Sequence, residues 1–154
     1  MRFALLTLGL FLLTHHTIAS NLIILHSSQA LHTKLHSNKG ILLLILHDRN
    51  CVHCRHFLPK LQKQAIRDDS ITYAAMDMHG HYNLMDEYIK HGLEYYPFMV
   101  MYKGDKIVAK MTVGDNDGKA IGWIEDTKKR NRREGEGSVG VGFAKMKAEI
   151  LGYE

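Results

Sequence analysis

The sequence predicts an α/β protein whose central mixed sheet is flanked by helices. Three observations carry that expectation. Strand-like and helix-like segments alternate, in the order β-α-β-α-β-α-β-β-α, and such alternation builds a sheet covered by helices on both faces. Residues 41–46, Ile41-Leu42-Leu43-Leu44-Ile45-Leu46, are an unbroken apolar run, as strands buried on both faces are. Two β-prone segments flank Lys103-Gly104-Asp105, which predicts a closing hairpin and so an antiparallel edge.

Each element has its own signal. Asn21-Leu22-Ile23-Ile24-Leu25 is short and β-prone. Ala30, Leu31 and Leu35 recur at helical spacing behind Ser27 and Ser28, which are suited to cap a helix. Asn38-Lys39-Gly40 reads as a turn into the apolar run, which ends in polar His47-Asp48-Arg49-Asn50. From Cys51 to Arg67 the pattern is helical, with Phe57, Leu58, Leu61, Ala65 and Ile66 on one side. Pro59 lies inside that helix, where it removes a backbone hydrogen bond and should bend the axis. Residues 71–76 read as a strand ending at Asp77, and Leu84, Tyr88 and Ile89 as a short helix stopped by Gly92. The hairpin strands cover 98–102 and 106–112. The last helix is expected over 119–130, carrying Ile121, Trp123 and Ile124. Asp115-Asn116-Asp117-Gly118 before it reads as a turn, because Glu125 comes too early to close a calcium loop.

The two chain ends differ from this pattern. Residues 1–19 open with Arg2, continue through an apolar run and finish in Thr17-Ile18-Ala19. That is the layout of a secretory signal peptide cleaved after Ala19. The rival reading is a signal anchor, since residues 3–25 are long enough to cross a bilayer although His15, His16, Ser20 and Asn21 interrupt them. The expected location is accordingly the secretory pathway, either the ER lumen or the exterior; the anchored alternative is a membrane, including an organelle membrane complex. After a globular region over 21–131, residues 134–142 read as a Gly-rich linker. Phe143, Met146, Ile150 and Leu151 then recur at helical spacing in a short amphipathic segment, 143–154. It reads either as a frayed tail or as a docking helix for a protein partner.

Composition narrows the function classes. The chain is 45% apolar and 23% charged, which argues against wholesale disorder. The net charge of +4 is mild. Much of it sits in one run, Lys128, Lys129, Arg130, Arg132 and Arg133, which reads as a solvated helix end; no nucleic-acid partner is expected. The only two cysteines are Cys51 and Cys54. A scaffold stapled by disulfides needs more, so a lone C-x-x-C is a redox pair or half of a metal site. No metal is expected. His53 and His56 lie on the helix of the cysteines, His79-Gly80-His81 is spaced too tightly, and a structural zinc needs four convergent ligands.

Taken in order, the motifs resemble the thioredoxin-like superfamily over residues 21–131. An apolar strand leads into C-x-x-C at a helix start, and Pro59 follows five residues after Cys54. Gly92-Leu93-Glu94-Tyr95-Tyr96-Pro97 resembles the segment that carries the family's cis-proline, Phe98 to Gly104 the strand and turn after it, and Gly114 a glycine of the next strand. His53 before the second cysteine is similar to the protein disulfide isomerase branch. The sequence departs from the pattern at Asn50, where an aromatic residue is usual, and at Val52, where a glycine is. It departs again at Ile45, where the family has a buried carboxylate for proton transfer.

The resemblance implies a thiol–disulfide oxidoreductase or isomerase acting on protein cysteines, with no cofactor beyond the redox-active Cys51–Cys54 disulfide. A cysteine at a helix N-terminus faces unpaired N–H groups and the positive end of the helix dipole, and both favour its thiolate. Cys51 is thus the expected attacking thiol and Cys54 the resolving one. A protonated His53 would favour the Cys51 thiolate further. Tyr96 and Pro97 are expected to meet substrate backbone; Pro59, Gly104 and Gly114 are expected to be structural. The missing acid at position 45 keeps a second reading open, an accessory or assembly subunit with little or no catalysis.

Overall fold

The computed structural model describes residues 21–137 apart from Asp115. Its strands are β1 (Leu22–Leu25), β2 (Ile41–His47), β3 (Thr72–Asp77), β4 (Phe98–Lys103) and β5 (Lys106–Thr112). Its helices are α1 (Ser28–Ser37), α2 (Val52–Arg67), α3 (Tyr82–Lys90) and α4 (Asp117–Gly137). The order along the chain is the expected one. In space the sheet runs β1-β3-β2-β4-β5, with β1, β3 and β2 mutually parallel and the β4–β5 hairpin antiparallel against β2.

β2 occupies the centre because its sequence suits no other place. From Leu42 to Leu46 every side chain is buried, so the strand needs apolar cover on both faces. Leu42, Leu44 and Leu46 enter one core, beneath Leu31 and Tyr88 of α1 and α3. Leu43 and Ile45 enter the other, against Phe57, Leu61 and Ala65 of α2 and Ala120 and Ile124 of α4. Each helix therefore lies on the face its own apolar stripe can cover.

Local signals set the boundaries. Ser27 caps α1 by accepting from the Ala30 N–H at 3.1 Å. The Asn116 side chain accepts from the Lys119 N–H at 2.9 Å and starts α4, so the expected turn is the entry to a helix. Gly104 turns the hairpin at φ 64°, a conformation that costs a side-chain-bearing residue. Pro59 lies inside α2, as expected.

One boundary is corrected. The linker was expected to begin at Glu134, yet α4 continues to Gly137. A helix that is already nucleated propagates cheaply. Glu134 and Glu136 are good helix formers, and each glycine costs only about 1 kcal/mol. The folded unit thus reaches beyond the expected end at residue 131. Residues 1–19, the rest of the linker and the segment 143–154 lie outside the described residues. Among the described residues no helix is long and apolar enough to cross a membrane.

Candidate redox site

β2 delivers the chain to the site. It ends at His47, and the next residues turn over the sheet edge into α2, with the Cys51 N–H donating to the Asp48 carbonyl at 3.0 Å. Cys51 is the N-cap of α2, with extended backbone angles (φ −76°, ψ 118°). Its sulfur accepts from the Cys54 N–H at 3.1 Å, where Ser, Thr, Asp or Asn would usually place an oxygen. The helix terminus supplies donors that no intrahelical carbonyl satisfies, and α2 has no acidic residue in its first turn to compete for them.

The opposite wall comes from the entry to β4. The Tyr96–Pro97 peptide is cis. The Cys51 thiol donates to the Tyr96 carbonyl at 3.5 Å, bringing α2 and this loop together across 45 residues of sequence. The Pro97 carbonyl accepts from the Val113 N–H at 3.0 Å, which ties the loop to the exit of β5. Gly114, at φ 57°, lies just beyond. Cys51, His53, Tyr95, Tyr96, Thr112 and Gly114 line a shallow depression of about 340 Å³. Of its lining, Tyr95 is 70% accessible, and Val52, next to Cys51 in the chain, is 52% accessible.

The two thiols differ sharply. Both cysteines are free, Cys51 partly exposed and Cys54 buried. Burial, reinforced by the hydrogen bond to Cys51, pushes the Cys54 thiol up to about 12. One sulfur is open to a partner and the other waits beneath it, protonated at neutral pH.

The sheet face that α2 covers is apolar. Ile45 is fully buried and pairs in register with Ala75, also fully buried. Ionisable groups gather instead at the strand ends. The Asp48 carboxylate accepts from the Asn50 N–H at 2.7 Å, and its other oxygen lies 3.8 Å from His79 Nδ1. Asp77 pairs with Arg49 at 2.8 Å and accepts from the His79 N–H at 3.0 Å. Burial would raise Asp77, but those two donors outweigh it and hold its carboxyl below the usual range. Burial keeps His47 below the usual imidazole range against the pull of Asp77 and Asp48. The Tyr96 hydroxyl is buried and has no hydrogen-bond partner among the described residues. Burial raises that phenol, and the negative charges of Asp48 and Asp77 raise it further.

The structure thus brings Cys51, Cys54, His53, Tyr96, Pro97 and Gly114 to one place. Pro59 sits farther along α2, and Gly104 is at the hairpin turn. Sequence reasoning assigned no role to His47 or Asp77, and gave Tyr96 a role only in binding substrate. A weak signal existed, since the two central parallel strands each close in a titratable residue, β2 in His47 followed by Asp48 and β3 in Asp77. Among the described residues, no group of three or more His, Cys, Asp or Glu side chains is disposed to hold a metal ion.

A parallel three-strand core, an antiparallel hairpin, a cis-proline and a C-x-x-C capping the central helix define a thioredoxin-fold protein with a dithiol site. The thioredoxin family profile matches residues 22–126, more than half of the chain, and the chain belongs to that family. Solved structures agree on the fold. A thioredoxin from Nicotiana alata is 17% identical, with 70% of this chain and 93% of that one covered at a TM-score of 0.59. Wild-type poplar thioredoxin h is 18% identical, with 69% and 95% covered at 0.59. Spinach chloroplast thioredoxin f is 15% identical, with 72% and 96% covered at 0.59. No curated protein matches the chain by sequence.

Proposed function

We propose that the protein is a thiol–disulfide oxidoreductase of the secretory pathway that exchanges disulfides with protein substrates. One observation carries the reading: Cys51 caps α2 with its sulfur against the Tyr96 carbonyl, while Cys54 is buried one turn later. The exposed sulfur is placed to attack and the buried one to displace. Disulfide exchange proceeds through such a mixed disulfide. The Tyr96–Pro97 backbone beside Cys51 offers an extended polypeptide a place to lie, and the Val52 and Tyr95 side chains offer apolar contact. His53 in the first turn of α2 supports the isomerase-like variant of this activity.

Insulin reduction and scrambled-ribonuclease refolding by purified residues 20–154 test the reading. Turnover above that of Cys51→Ser is expected in at least one assay. Equal rates in both remove the enzyme. N-terminal sequencing of the native protein tests the compartment, with a mature terminus at Ser20 expected. A protein retaining Met1 would point to the anchored alternative.

A second reading has one observation in its favour. Ile45, fully buried opposite Ala75, puts an apolar side chain where the family has a carboxylate, which suits a thioredoxin fold used as an assembly module. Under that reading, a stable complex recovered from native material is lost on truncation after Gly137, while Cys51→Ser leaves it intact.

A further inference from the structure

We propose that the outer face of α2 selects acidic polypeptide substrates, through a basic stripe of His53, His56, Lys60, Lys63 and Arg67 that leads away from Cys51. The inference rests on the oxidoreductase reading and adds to it the class of substrate. The 16 residues of α2 include four Lys or Arg and no Asp or Glu. That charge by itself equals the +4 of the whole chain. The five basic side chains of the stripe fall at i, i+3, i+7, i+10 and i+14, the spacing that puts residues on one helix face. At the pitch of an α-helix they occupy about 80° of arc and run for about 21 Å. All five are exposed. Arg55, the remaining cation of the helix, lies off the stripe.

The stripe begins at the dithiol. His53 lines the depression that also holds Cys51, Tyr95 and Tyr96, so a chain lying along the stripe enters that depression at one end. Of the three Lys and Arg in the stripe, only Lys60 has an ion-pair partner among the described residues, Asp117 at 2.6 Å, and 58% of its side chain stays accessible. Asp68 and Glu125 are held by Lys128 instead. Lys63 and Arg67 are left facing solvent.

Charge complementarity names the occupant. Each exposed ion pair gains only about two- to fivefold in affinity and is felt over about 8 Å at physiological salt. A partner that is acidic somewhere else gains nothing, so the carboxylates must lie along the stripe. An extended chain advances about 3.3 Å per residue. Lys60, Lys63 and Arg67 stand about 10, 15 and 21 Å beyond His53 along the helix. That matches acidic side chains about three to six residues from the cysteine that reacts. An occupant that also brings a disulfide to Cys51 is a polypeptide. Nucleobases find no exposed Phe, Tyr or Trp to stack on, since Phe57 is fully buried.

The selection acts on binding and leaves the exchange as it is. The Cys51 thiolate attacks the substrate disulfide, and one substrate sulfur leaves with the bonding pair. The Cys54 sulfur then attacks Cys51 and displaces the other. Cys51 and Cys54 are oxidised to a disulfide, the substrate disulfide is reduced, and the two protons of the dithiol balance the two thiolates released.

Three peptides test the proposal, each with a single cysteine carried as its thionitrobenzoate disulfide. They differ only at the positions three to six residues to either side of the cysteine, which hold Glu, Gln or Lys. Release of thionitrobenzoate by the reduced full chain gives a second-order rate for each. At low ionic strength the Glu peptide should react about tenfold faster than the Gln peptide, and the Lys peptide more slowly than either. High salt should remove most of that advantage. Lys63→Glu combined with Arg67→Glu should reverse the order, so that the Lys peptide overtakes the Glu peptide, a gain that misfolding does not produce. Lys63→Gln combined with Arg67→Gln, both good helix formers, should cut the Glu advantage at least threefold. Glu and Gln peptides that react within twofold of each other in wild type overturn the proposal, and so does a Glu preference unchanged in both variants. Stronger inhibition of the Glu-peptide reaction by phosphatidylserine vesicles or polyuridylate than by a cysteine-free Glu peptide, at equal total charge, assigns the stripe to a membrane or a nucleic acid and overturns it too. Release from every peptide no faster than by Cys51→Ser overturns the oxidoreductase reading itself, a different outcome from these.

Discussion

The two ends of α2 handle buried polar groups in opposite ways. At the C-terminal end Asp68 is thoroughly satisfied. It receives the Lys128 ammonium from α4, the Tyr73 hydroxyl from β3 at 2.7 Å, and the N–H and hydroxyl of Ser70. Lys128 also reaches Glu125, which accepts from Gln64 of α2 at 3.0 Å. Burial would raise the Asp68 carboxyl, but these donors together hold it far below the usual range. At the N-terminal end the Tyr96 hydroxyl is buried with no hydrogen-bond partner among the described residues, the Cys54 thiol is buried beside Cys51, and the carboxylates of Asp48 and Asp77 are about a quarter exposed. The satisfied end locks α2, α4 and β3 together; the unsatisfied end is where a proton and a sulfur can move.

This contrast can be broken at the locked end first. Lys128→Ala strands Asp68 and Glu125 without their cation and should cost about 3 kcal/mol in urea unfolding. Acid acts on the same network. Because the folded Asp68 carboxyl lies below its unfolded value near 3.8, its contribution is full above that value and is lost as pH falls through and below it. Unfolding free energy measured at neutral pH and again near pH 3 should therefore drop more in wild type than in Lys128→Ala. Tyr73→Phe removes one of several donors to Asp68 and should cost about 1 kcal/mol. The smallest effect belongs to the site end. Arg49 pairs with Asp77 while 63% exposed, so Arg49→Ala should shift unfolding by less than about 0.5 kcal/mol. A larger loss there than in Tyr73→Phe would reverse the contrast.

Local pattern revealed most of the fold but only half of the site. The six-residue apolar run was enough to make β2 central, and Ser27, Lys103-Gly104-Asp105 and the C-x-x-C marked boundaries through short-range chemistry. The strand order β1-β3-β2-β4-β5 was not legible, because pairing depends on contacts between distant residues. α4 ran past its predicted end because Gly135 and Gly137 look like linker, and sequence alone does not show that a helix is already propagating. At the site, Cys51, Cys54 and Pro97 could be placed by motif. Asp68 with Lys128, 60 residues apart, and the Cys51 thiol against the Tyr96 carbonyl, 45 apart, could not, since only the folded chain brings them together.

The central claim is that Cys51 and Cys54 differ in kind, one open for attack and one buried and protonated. Alkylation of the reduced protein with iodoacetamide at neutral pH, mapped by mass spectrometry, tests it most directly. Modification should fall on Cys51, with Cys54 left as a thiol until the pH approaches about 12. Labelling of Cys54 at a rate equal to or above that of Cys51 would contradict the account.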